Sequence, residues 1–172
     1  MLLTFKNLNR FLVLSFAAII LAACTTTPQD TASTSSSSSS ASKVEVVDGV
    51  YVGTDTVEML AVDVPDRVFF AYDSYSLTSA AQATLAKQAK WLKANGSVTI
   101  AIEGHADERG TREYNLALGD RRANAAKDYL MTQGISASRI TTISFGKERP
   151  VNSASNNKSS AQNRRSVTVR TN

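Results

Sequence analysis

Apolar and polar positions divide the chain into four stretches. Residues 11–24 read FLVLSFAAIILAAC, an apolar run broken only by Ser15. Residues 25–43, TTTPQDTASTSSSSSSASK, carry no aromatic or large aliphatic residue and cannot bury a core. Residues 44–63 alternate loosely, as short strands or an ordered lead-in would. From Pro65 the pattern sharpens. RVFFAY over 67–72 is aromatic and β-branched and predicts a strand. Ser79-Ala80-Ala81-Gln82 matches a capping box. Ala81, Leu85, Ala89 and Leu92 follow at helical spacing, and Asn95-Gly96 is a stop. Val98, Ile100 and Ile102 alternate within a second strand, 97–103. GHADERG over 104–110 reads as a polar loop. A long helix is expected over 112–133, with Leu116, Ala123, Ala126 and Leu130 on its apolar face and Gly134 at its end. Strands follow at 140–145 and 166–170, separated by a polar loop over 153–163 with room for a helical turn. This order predicts a sheet with helices packed against it.

The first stretch reads as an address. Lys6 and Arg10 precede the apolar run without any acid, as in a secretory signal. Its 14 residues fall short of the roughly 20 that span a bilayer. Leu21-Ala22-Ala23-Cys24 resembles the lipobox of bacterial lipoproteins. That resemblance implies a signal peptide over 1–23, cleavage before Cys24, and acyl chains such as palmitate on that residue. Stable anchoring needs more than one chain, at about 0.8 kcal/mol per buried CH₂. The alternative is an ordinary signal with Cys24 as a chance thiol. Thr25 in place of an acidic residue favours the outer membrane over the inner one. Residues 25–43 then form a leash, spanning roughly 24 Å as a flexible coil.

Composition narrows the function. One Cys and one His among 172 residues exclude an internal disulfide framework and a His-rich or all-Cys metal site. The net charge is +4. Beyond the leader, 17 basic residues face 15 acidic ones, so there is no basic stripe for nucleic acid.

Candidate chemistry gathers around GHADERG and the helix after it: Glu103, His105, Asp107, Glu108, Arg109, Arg112, Glu113 and Asn115. Asn115, Leu118 and Arg122 share one helical side. Asp107 can take an ammonium and Arg122 a carboxylate, which suits a zwitterionic ligand. The competing reading is that both pair with each other or with neighbours at the surface. A lone His105 reads as a turn or packing residue rather than a metal ligand. Glu103, Asp107 and Glu108 make a poor acid–base pair for a wall-cleaving glycosidase, being crowded into one short segment without an aromatic groove.

RVFFAYDSYSLT, TIAIEGHADERGTREYNLALGDRRANAAKDYL, ISFGKERPV and NRRSVTV together resemble the OmpA-like peptidoglycan-binding domain, and within it the branch of peptidoglycan-associated lipoproteins. The likeness covers 65–172, after a lead-in over 44–64. It implies an α+β two-layer sandwich with a mixed four-stranded sheet (β-α-β-α-β-β), commonly in the order 1-4-2-3. The implied ligand is the peptide stem of peptidoglycan, centred on meso-diaminopimelate, bound without catalysis and without a cofactor. By position, Asp107 matches the residue that meets the diaminopimelate ammonium and Arg122 the one that holds its carboxylate. Asn115 supports that site, and Asp73 and Arg164 flank it. Arg164 and Arg165 read equally well as members of structural ion pairs. The resemblance also implies partnership with TolB and other Tol proteins at division, and an outer-membrane, periplasm-facing position. The alternative function is a protein-interaction module for TolB with little wall binding. Relatives often carry an Asp where this chain has Ala71, and Ser where it has Gly119. The loop before Asn163 lacks the Cys pair of some relatives and is expected to be more mobile.

Overall fold

The computed structural model describes residues 45–172. The leader over 1–23, Cys24 and the tether over 25–43 lie outside the described residues.

Residues 46–65 form two small antiparallel hairpins. The first joins β1 (Val46–Val47) to β2 (Val50–Tyr51). Its turn, Asp48-Gly49, has positive φ at both residues, the requirement of the tight turn that suits hairpin twist. The second joins β3 (Met59–Ala61) to β4 (Val64–Pro65). The lead-in is docked: Tyr51 is buried and meets Phe69 edge-on, ring centroids 4.9 Å apart.

The main sheet contains β5 (Arg67–Phe69), β6 (Ile100–His105), β7 (Ile140–Gly146) and β8 (Arg165–Arg170). Its order is β5-β8-β6-β7, with β6 and β7 parallel and the other pairs antiparallel. Among these four strands that is first, fourth, second, third, the mixed α+β arrangement the resemblance implies.

Helix α1 (Ser79–Ala94) starts at the first residue of the predicted box, so its cap lies one residue earlier. Thr78 is the cap, its Oγ1 accepting from the Ala81 N–H at 3.2 Å, while the Gln82 side chain donates to the Leu77 carbonyl. Helix α2 (Arg112–Thr132) is capped by Thr111 and closes before Gly134, whose φ is +87°. Ala81, Leu85, Ala89 and Leu92 of α1 and Ala123, Ala126 and Leu130 of α2 share one core with Val68, Ile100 and Ile102. Leu116 is only half-buried, and Leu118 takes the buried position instead. The face of α2 that carries Asn115, Leu118 and Arg122 is the one buried in this part of the helix.

Of the strand limits that differ from the sequence reading, two shape the site. RVFFAY leaves the sheet after Phe69, because the chain turns through Asp73 at φ +52°. β6 instead runs on through Gly104 and His105, so the predicted loop begins only at Ala106. The region read as a polar loop with room for a helical turn contains a third helix, α3 (Asn157–Asn163), capped by Asn156, with Ser159, Ala161, Gln162 and Asn163 buried. Its buried polar side chains bond to Asp55 and to Asn152, which compensates for its lack of apolar character.

Candidate functional site

Asp73, Asp107, Asn115, Arg122 and Arg164 line one cleft of about 500 Å³. They come from four places in the chain: the turn after β5, the loop after β6, helix α2, and the junction of α3 with β8.

The loop is held by its own polar groups. The Asn115 amide donates to the carbonyls of Arg109 (2.8 Å) and Thr111 (3.0 Å). Gly110 adopts φ +90°, which only glycine enters without steric cost. Asp107 Oδ1 accepts the backbone N–H of Arg109 at 3.2 Å.

Asp107 is 4 % exposed. Its Oδ2 accepts from Arg109 Nη2 at 2.6 Å and from Arg164 Nη1 at 3.0 Å. Burial pushes this carboxyl up, but the two guanidinium hydrogen bonds win and hold it below the ordinary aspartate value. It is therefore ionised throughout the neutral range.

Arg122 is fully buried. Its Nε donates to the Ser74 carbonyl (2.8 Å), Nη1 to that of His105 (2.8 Å) and Nη2 to that of Ala71 (3.1 Å). Of the five N–H groups of a guanidinium, three are thus used and two have no hydrogen bond within the protein. Burial, reinforced by the Arg164 charge, lowers its pKa to about 10; it stays charged. Asp107 and Arg122 do not pair with each other; Asp107 does pair with neighbours, as the competing reading allowed, but with Arg109 and Arg164 in a buried position rather than at the surface. Arg122 braces the turn after β5, and Asp107 takes other arginines. At Ala71 the main-chain carbonyl, rather than a side chain, supplies the polar contact.

Arg164 bonds to the carbonyls of Phe70 and Gly49 as well as to Asp107. Both readings of Arg164 hold in one geometry, since it lines the cleft and is ion-paired within it. Arg165 points elsewhere, toward the Arg149 carbonyl. Asp73 accepts from the Tyr114 hydroxyl.

Among the lining residues given no role in the sequence reading are Arg109, Tyr72 and Tyr114. Arg109 lies 3.9 Å above the centre of the Tyr72 ring. Its place in GHADERG marks it only as one of several polar residues. Tyr72 falls at the end of RVFFAY, a strand that the Asp73 turn cuts short.

The remaining loop residues face away. Glu108 accepts from Ser155 and borders a separate hollow with Lys147. His105 is buried against Phe145, ring centroids 5.6 Å apart. Burial, then the charges of Arg165, Arg149 and Arg67, lower its pKa to about 3, so its 3.4 Å approach to Glu103 is not an ion pair at neutral pH. Among the described residues no three His, Cys, Asp or Glu side chains gather into a metal site.

The model of the OmpA family matches residues 69–164. The peptidoglycan-associated lipoprotein of Mesorhizobium japonicum is 56% identical over 108 residues, covering 63% of this chain and 64% of that protein. The protein of the same name from Agrobacterium fabrum is 56% identical over 108 residues, covering 63% of this chain and 61% of that one. The chain thus spans less than two thirds of the length of these curated relatives. The crystal structure of the peptidoglycan-associated lipoprotein from Burkholderia pseudomallei superposes with a TM-score of 0.60 at 43% identity, covering 61% of this chain and 89% of that one. The C-terminal domain of Helicobacter pylori MotB shares the fold, at a TM-score of 0.58 and 17% identity over 62% of this chain and 84% of that one.

Proposed function

The chain belongs to the OmpA family, and from that membership we propose that it is a peptidoglycan-binding lipoprotein that ties the outer membrane to the cell wall. The carrying observation is the meeting of a buried, ionised Asp107 with the Arg122 and Arg164 guanidinium groups in one cleft. Such a cleft offers both signs of charge to a dipolar ligand, and the diaminopimelate of a peptide stem has an ammonium and a carboxylate on one carbon. Asp107 receives the ammonium. The two N–H groups that Arg122 has left receive the carboxylate. Asn115 fixes the loop that carries Asp107.

The mode is binding, not hydrolysis. A glycosidase needs a carboxylic acid held protonated near neutral pH, whereas Asp107 is held ionised. Glu108, its nearest acidic neighbour in the chain, opens onto a different hollow. Single contacts with the wall are weak on this reading, and many anchored copies facing one polymer supply the avidity. Cys24 is the proposed lipid attachment site, residues 25–43 the leash, and the domain faces the periplasm. TolB and the other Tol proteins are proposed partners in envelope constriction. Tyr72, an exposed residue of the cleft lining, suits a protein partner at its rim.

Sedimentation with purified sacculi tests the proposal. The wild-type chain pellets with them, and Asp107→Asn stays in the supernatant with an unchanged circular dichroism spectrum. Equal pelleting of the two proteins overturns the assignment.

A further inference from the structure

The loop that carries Asp107 borders two hollows. Arg109, Gly110 and Thr111 line the cleft, whereas Glu108 lines a separate hollow of about 410 Å³ together with Lys147. From Glu108 to Thr111 the loop is exposed and has no apolar side chain, so its order rests on hydrogen bonds. Four consecutive main-chain carbonyls are shared between two side chains. Those of Arg109 and Thr111 accept from the Asn115 amide of α2. Those of Glu108 and Gly110 accept from Lys147 Nζ, at 3.3 Å and 2.7 Å.

Lys147 belongs to the turn after β7, and that turn meets the loop at both ends. The Gly146 carbonyl accepts the Ala106 N–H at 2.8 Å, and Glu148 pairs with Arg112 at 3.3 Å. Gly146, at φ +51°, approaches α2 so closely that a Cβ would stand 2.9 Å from the Leu116 nitrogen. The base of the Lys147 side chain is thereby fixed relative to the helix that carries Asn115. An ammonium donating to carbonyls makes the charge-assisted kind of hydrogen bond. What it secures is the setting of Asp107, whose two oxygens accept from the backbone and the side chain of Arg109, a residue between the two carbonyls that Lys147 grips.

Resting on the peptidoglycan reading above, we propose that Lys147 is a positioning residue for wall binding: from outside the cleft it clamps the Glu108 and Gly110 carbonyls and so keeps Asp107 in its binding arrangement, without touching the ligand. A loop released from this clamp binds only for the fraction of time it spends in place, and the apparent affinity falls by that fraction.

Calorimetric titration of the full chain with a synthetic stem tripeptide carrying diaminopimelate at its third position tests this, at a temperature well below unfolding where a modest loss of global stability leaves binding unaffected. Lys147→Met weakens binding about tenfold, the effect of one lost charge-assisted hydrogen bond. In the free protein, hydrogen exchange quickens at the Arg109 amide, which Asp107 protects, and keeps its wild-type rate in β6. Lys147→Arg, which retains charged donors, restores most of the affinity. Arg149→Met removes a charge of the same sign from a residue two places along whose side chain lies over Phe145, and binds as the wild type does. Wild-type affinity in Lys147→Met, or an equal loss in Arg149→Met, overturns the role of Lys147 alone. Failure of the wild type to bind the peptide overturns the peptidoglycan reading and this one with it.

Discussion

Gly104 and Gly119 lie backbone to backbone where β6 meets α2: a Cβ on Gly104 would stand 3.1 Å from the Gly119 Cα and closer still to its carbonyl. Each glycine stands three residues before a charged group of the site, Asp107 and Arg122. The contact thus sets the spacing of the cleft. Gly104→Ala forces the helix off the strand and should cost about 3 kcal/mol, the upper range for overpacking. Gly119→Ala meets mainly the Ser144 hydroxyl and, at 2.9 Å, the Gly104 carbonyl oxygen, and should cost less. Urea unfolding of the two variants checks the order.

Arg122 is a structural group as well as a ligand-facing one, which changes what its removal means. Arg122→Met strands the carbonyls of Ala71, Ser74 and His105 in the interior and should cost about 3–5 kcal/mol. The loss of wall binding then accompanies a loss of fold. Asp107→Asn keeps one acceptor for Arg164 and lets Arg109 swing into solvent, at about 1–2 kcal/mol. Thermal unfolding measured beside sacculus pelleting separates the two: binding lost at nearly full stability for Asp107→Asn, binding and stability lost together for Arg122→Met.

His105 makes stability depend on pH. Its folded pKa is about 3 against an ordinary 6.5, owing to burial and then to the charges of Arg165, Arg149 and Arg67. Between those values the unfolded chain binds the extra proton, so acid favours unfolding. Stability is full above about pH 6.5 and declines toward pH 3, with a slope of up to about 1.4 kcal/mol per pH unit. Asp107, also held below its ordinary value of 3.8, adds a separate loss only as pH falls through its folded pKa. Neither ring nitrogen of His105 has a hydrogen-bond partner, so His105→Phe should keep neutral-pH stability and flatten the slope between pH 6.5 and 4. Denaturant titrations across that range provide the measurement.

What the sequence made legible was what periodicity and loop chemistry encode locally. The α1 face of Ala81, Leu85, Ala89 and Leu92 is buried as its spacing predicts; Asp107 and Arg122, which loop and helix chemistry single out, line one cleft with Asp73, Asn115 and Arg164, which only the resemblance implied for the site. The misses have physical causes. RVFFAY has strand composition to its end, but a positive φ at Asp73 depends on contacts with α2 that no local pattern reports. Asp48-Gly49 is a hairpin signal, obscured because its flanking strands are two residues each. α3 is stabilised by buried side-chain hydrogen bonds to distant partners, and so reads as a loop. The carbonyl partners of Arg122 were illegible for the same reason: main-chain acceptors carry no residue type.

Arg164 joins the cleft to the lead-in, since the guanidinium that meets Asp107 also holds the Gly49 carbonyl at the hairpin turn. The hairpin stands between the domain and the tether, so its docking and the state of Asp107 share one side chain. Arg164→Met removes both bonds and that to Phe70. It should cost about 2 kcal/mol, less than a broken buried pair usually does, because Asp107 keeps Arg109. Hydrogen exchange should then quicken at the amides of Val50 and Val52, which close the hairpin, and the affinity for a stem peptide should fall. Lys158→Ala, which breaks only exposed pairs with Glu45 and Asp55, provides the contrast: it can loosen the lead-in without touching the cleft, so peptide affinity should stay at the wild-type level. If exchange at Val50 and Val52 is the same in Arg164→Met as in the wild type, Arg164 does not hold the hairpin, and the link between cleft and hairpin is absent.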